Sequence, residues 1–208
     1  MKALLYKDIT SAKSTYLLAL LVGLAVCAYG VYSDFLIIIP LVIVFMSILM
    51  STISFSIDEQ AGSYKFIFTT PISRESFVMS KYVLTLVLAI LAGLLSLAIF
   101  GFDKETLGLN LILAALVYAI PIAFISIEVP FFLKYGAEKG RILVVVVYFL
   151  LFAIPNYLGA KMPDIIGKIQ SLSKSQPYLI ALFIFILANL ILFISSRVGC
   201  KIIKDKDY

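Results

Sequence analysis

The sequence predicts an all-α integral membrane protein with six transmembrane helices and both chain ends on the cytoplasmic side. Three observations predict it. First, of 208 residues, 62% are hydrophobic and only 14% are charged, where an ordinary soluble domain carries about a quarter charged residues. With a mean hydropathy of +1.10, the chain has more apolar surface than it can hide from water by folding on itself. Second, the apolar residues fall into six runs, near 16–32, 35–56, 82–102, 109–133, 141–158 and 177–196. Each is about 17–25 residues long, enough for a helix to cross the hydrocarbon core. Helix is the expected conformation because irregular backbone facing lipid leaves its polar groups unsatisfied. Third, the Lys and Arg residues fall unevenly on the connections between the runs: thirteen on one side and four on the other. The richer side is cytoplasmic by the usual charge asymmetry.

The segment before the first run places Leu4, Leu5, Ile9 and Ala12 at roughly helical spacing, with Lys2, Lys7 and Lys13 elsewhere. This predicts an amphipathic helix lying on the inner leaflet. The first run starts late for a signal peptide, lacks a small-residue cleavage site and is followed at once by a second run, so it reads as a span. Ala19, Gly23 and Cys27 form a small-residue stripe along it, suited to close helix packing. Only Ser33 and Asp34 separate spans one and two, which predicts a tight hairpin.

The second span is expected to end near Ile57, where a cytoplasmic loop over 57–81 begins. Asp58 and Glu59 come first, and Gln60, Ala61 and Gly62 then break the helix. Ser63, Tyr64, Lys65 and Phe66 follow as a charged, aromatic surface element. Pro71 keeps Thr70 out of helical geometry. Ser73 is the expected N-cap of the third span, with Glu75 favourable in its first turn. Aromatics rimmed by charge suit either the headgroup region or a soluble partner.

The fourth span carries Pro121 and Pro130, which cannot donate to the helix ladder. It also carries Glu128, which precedes Lys134 by six residues, or roughly 9 Å along a helix. A charge at that depth needs a partner or a route to the headgroups. The expected partners are Lys81, Lys134 or Arg141, in a gate or ion pair; snorkelling to the inner headgroups is the simpler reading. Asn189, in the last span, is placed to bond another helix or its own backbone. In the outer segment 159–176, Ile165, Ile166, Ile169 and Leu172 share a helical face.

Several functional classes find no support. There is no histidine, hence no imidazole for acid–base work or metal binding, and no metal site is expected. Cys27 and Cys200 are far apart in the sequence and suggest neither a disulfide framework nor a metal pattern. The net charge of +5 reflects loop asymmetry, and no basic patch interleaved with stacking aromatics points to nucleic acid. Clustered catalytic side chains are missing, so the chain is not expected to be an enzyme. A phosphate-binding loop is missing too; the nearest string, "GAEKGR", lacks both the spacing and the hydroxyl.

Two stretches carry a family resemblance: "DEQAGSYKFIFTTPISRESFVMSKY" (58–82) and "VPFFLKYGAEKGRIL" (129–143). They resemble the membrane subunits of type-2 ATP-binding-cassette exporters, in particular the small six-span bacterial permeases, over nearly the full length. The resemblance implies a short cytoplasmic coupling helix between spans two and three, docked in a groove of a separate ATPase. Asp58, Glu59, Gly62, Ser63, Tyr64, Lys65 and Phe66 would then form the docking surface. Pro71, Ser73, Arg74 and Lys81 would set the turn and the start of the third span. The resemblance further implies two ATPase copies that bind ATP and Mg, with no cofactor on this chain. It implies a second permease, identical or a sister, in a bacterial cytoplasmic membrane. By analogy the cargo is a hydrophobic or amphipathic molecule: a peptide toxin, a bacteriocin or a drug. An ATP-independent channel or a toxin-binding immunity protein is the alternative.

Overall fold

The structure is a computed structural model that describes residues 2–62, 73–101, 106–136, 138–140, 142, 145, 146, 149 and 175–205. Its described elements are six helices: α1 (Lys2–Ser11), α2 (Lys13–Tyr32), α3 (Ile38–Gln60), α4 (Arg74–Phe100), α5 (Leu107–Tyr135) and α6 (Pro177–Lys204). Helices α2 to α6 are long and apolar enough to cross a membrane, and they account for five of the six predicted spans. The predicted span 141–158 and the outer segment up to residue 174 fall outside the described residues, apart from isolated positions in the former.

Where helices end, backbone chemistry explains it. Helix α2 closes with Asp34 at φ 54. The Phe35 amide then bonds Gly30 O at 2.8 Å and the Asp34 amide bonds Val31 O, a Schellman arrangement that satisfies the last carbonyls. The connection to α3 therefore runs to Ile37, longer than the two residues expected. Helix α3 stops at Gly62, whose φ of 59 is open to glycine at no steric cost. That stop comes later than Ile57, so Asp58 and Glu59 belong to the last turn of α3 rather than to a loop beyond it. Ser73 caps α4 as expected: its hydroxyl accepts the Ser76 amide at 3.1 Å.

The core is built in layers along the bundle. At the end where α1 lies, Leu4, Phe55, Phe77, Val129, Phe132 and Ile203 draw five helices together. Midway, Val44 and Ile48 of α3 pack against Ala92, Val117 and Phe124. At the same depth, on another face of α5, Ala89, Tyr118, Ile122 and Ala188 join α4, α5 and α6. The stripe on α2 faces α3: Gly23 is buried against Met46 and Val42, with Ala19 and Cys27 half-buried beside it. Asn189 does both things expected of it, accepting from the Tyr118 hydroxyl at 3.0 Å and donating to Phe185 O at 2.8 Å.

Helix α1 departs from the simple amphipathic reading. Its packed face is Leu4, Asp8 and Ala12, all buried, whereas Ile9 is 50% exposed. Positions four apart lie on one face, and that face includes a carboxylate. A charged group on the packed side requires a partner inside the bundle.

Candidate functional site

Asp8 meets its partners at the junction of α1, α3 and α4. Lys81 of α4 is 3% exposed, and Asp8 and Asp58 are each 1% exposed. The Lys81 ammonium has three hydrogens and uses all of them. It donates to Asp8 Oδ1 at 3.0 Å, to Asp58 Oδ2 at 2.6 Å and to the Ser54 hydroxyl at 2.5 Å. Lys7 closes the cluster, bonding the other oxygen of Asp58 and lying 3.2 Å from Asp8 Oδ1. Two cations thus balance two anions, which is what makes burial of Asp8, Asp58 and Lys81 tolerable; Lys7 stays partly exposed. Phe55 and Phe77 flank the Lys81 ammonium, with ring centroids at 5.3 and 5.2 Å, close enough for cation–π attraction.

The same end of the bundle is fastened twice more. Arg74, in the first turn of α4, donates to the carbonyls of Ile203 and Lys204 at 3.1 and 3.2 Å. These are among the last carbonyls of α6, which have no partner within their own helix. Beside it, Glu75 pairs with Lys204 at 2.5 Å on the surface. Glu59 reaches Gly136 at the end of α5. A Cβ at Gly136 would lie 2.8 Å from the Glu59 carboxylate, and φ there is 85, so only glycine fits.

A second polar layer lies deeper. Glu128 of α5 is 1% exposed, and one of its oxygens lies 2.6 Å from the Thr52 hydroxyl of α3. Among the described residues no cation is within ion-pair distance of it. The expected pairing with Lys81 does not form, because Asp8 and Asp58 occupy that ammonium. Nor does the pairing with Lys134. Six residues along a helix turn the side chain through about 240°, and Lys134 lies over the ring of Tyr135 at 5.2 Å. The third expected partner, Arg141, lies outside the described residues. Pro130, two residues on from Glu128, cannot bond the carbonyl of Ser126. Ser195 of α6 fills that gap, donating to Ser126 O at 2.6 Å while its oxygen faces the Tyr82 hydroxyl at 2.7 Å.

The sequence-predicted site residues are therefore divided. Asp58 and Lys81 come together inside the bundle, where the Asp58 carboxylate faces Lys81 and Lys7 rather than a surface. Glu59, Gly62 and Arg74 stand at the helix ends bordering the 63–72 connection. Ser63, Tyr64, Lys65, Phe66 and Pro71 lie outside the described residues. Sequence reasoning missed Asp8, Ser54 and Thr52. The signal for Asp8 was its position midway between Leu4 and Ala12, four residues from each. Residues 3–204 match the family model described as "ABC-2 family transporter protein". No curated protein and no solved structure matches the chain at a significant level.

Proposed function

The chain belongs to the ABC-2 family of transporter proteins, and from that premise we propose that it is the membrane subunit of an ATP-driven exporter. A separate ATPase subunit, in two copies, binds ATP and Mg and grips this chain at the 63–72 connection. The charge asymmetry puts that connection, α1 and the end of α6 in the cytoplasm. A second permease, identical or a sister, completes the pathway in a bacterial cytoplasmic membrane.

One observation carries this reading: both helix ends that flank the connection are fastened to other helices. Asp58, at the end of α3, is held through Lys81 and Lys7 to α4 and α1. Arg74, at the start of α4, holds the end of α6. A push on the connection therefore reaches four helices through short polar contacts rather than through one flexible loop. The cargo is hydrophobic or amphipathic. Its support is a groove of about 450 Å³ between α4, α5 and α6, lined by Ile90, Leu94, Leu97, Ala114 and Phe185 among others.

The reading is tested at the aromatic anchors. Tyr64→Ala combined with Phe66→Ala should reduce the ATPase recovered with the tagged permease at least several-fold, with membrane insertion unchanged. Recovery at the wild-type level would contradict docking through this connection.

A further inference from the structure

Among the described residues, Glu128 is the one buried carboxyl that the coupling reading leaves without a task. One of its oxygens lies 2.6 Å from the Thr52 hydroxyl; the other has no hydrogen-bond partner. The Thr52 hydroxyl also lies 3.0 Å from the carbonyl of Ile48, one turn back on its own helix. A hydroxyl has one hydrogen, so it cannot donate to both. If it donates to Glu128, an ionised carboxylate sits in the bundle with neutral hydroxyls as its only donors and no counter-charge among the described residues. If it donates to Ile48 O, a lone pair faces Glu128, and the hydrogen between the two side chains must come from the carboxyl.

The surrounding charges favour the second arrangement. On α3, Asp58 is already balanced by Lys81 and Lys7, and the Ser51 hydroxyl beside Glu128 is a neutral group. On α4, Lys81 is spent on Asp8 and Asp58, and Tyr82 is bonded to Ser195. On α6 the cations begin at Arg197, which lies over Phe193, and Lys204 pairs with Glu75. On α5 itself Lys134 lies over Tyr135. On α1 and α2, Lys7 belongs to the lower cluster and the Tyr16 hydroxyl bonds Met50 O.

We propose that Glu128 is a proton-binding site inside the membrane bundle. In this packed arrangement it is a carboxylic acid whose O–H donates to Thr52, and Thr52 passes its own hydrogen to Ile48 O. The chain of donors runs in one direction from α5 to α3 and exists only while the proton is bound. Release of the proton leaves a buried carboxylate without a counter-charge among the described residues, which favours separation of the two helices and entry of water. The permease thereby takes up a proton on closing this contact and gives it up on opening it. The site does not depend on any ATPase partner.

Infrared spectroscopy of the purified chain in lipid at neutral pH tests it. The wild type should show the C=O stretch of a protonated carboxyl, and Glu128→Gln should lose that band. A carboxylate signal in its place would overturn the proposal. Thr52→Val, close in shape to the native residue, removes the acceptor and should shift the acid band toward that of an unbonded carboxyl. An unshifted band would overturn the donor chain even if Glu128→Gln failed to assemble.

Discussion

Lys81 shows how much one side chain settles in this molecule. Its three hydrogens reach two carboxylates and a serine on two other helices, so removing it leaves Lys7 alone to balance Asp8 and Asp58. Lys81→Met should cost about 3–5 kcal/mol, the usual penalty for breaking a buried pair from one side, read as a lower unfolding temperature in detergent. Asp8→Asn combined with Lys7→Met leaves one charge of each sign and should cost less than the sum of the single changes. Strict additivity would show that the four charges do not act as a unit. Little of this cluster was legible in the sequence. Asp8 stands next to Lys7 in a helix expected to lie on lipid, where a carboxylate reads as part of a solvated face. Only the tertiary contact with α3 and α4 turns that face inward. Lys81 was singled out, but for Glu128; two closer carboxylates compete for it, one of them from an element whose docking no local pattern reveals.

Some of the ties between helices lie at their ends. Arg74 caps carbonyls of α6 that the helix cannot satisfy itself. Arg74→Ala should therefore free the carbonyls of Ile203 and Lys204 and destabilise that end by about 1–2 kcal/mol. Faster amide exchange confined to the last turns of α6 would record it, and unchanged exchange there would contradict the assignment. Helix α1 depends on the charge cluster in the same way. A cysteine introduced by Ala12→Cys should react slowly with a soluble thiol reagent and several-fold faster once Asp8→Asn loosens the helix; equal rates would show that α1 docks without the cluster. The N-cap at Ser73 and the break at Gly62 were readable in advance because they follow from local backbone chemistry. The extension of α3 past Ile57 was not. Asp58 and Glu59 look like the polar exit from a membrane, and the ion pairs of Asp58 with Lys81 and Lys7 are tertiary contacts that no local pattern announces.

At the scale of the whole molecule, the bilayer does most of the specifying. It demands long apolar helices and satisfied backbones, so composition alone made the all-helical membrane class and the five described spans legible. The pairing of helices was harder to read, since lipid-facing and core-facing residues are equally apolar and the spans carry little amphipathic pattern. The family became legible through two stretches bordering the spans, and the family match over residues 3–204 agrees with it. The central claim is that a partner ATPase drives this chain from the cytoplasmic side. It is tested most directly by isolating the tagged chain from its native membrane in mild detergent and assaying the preparation for a bound ATPase. The account predicts a nucleotide-hydrolysing subunit present in stoichiometric amount. A chain that emerges alone, and that moves solute in vesicles with no ATPase present, would contradict it.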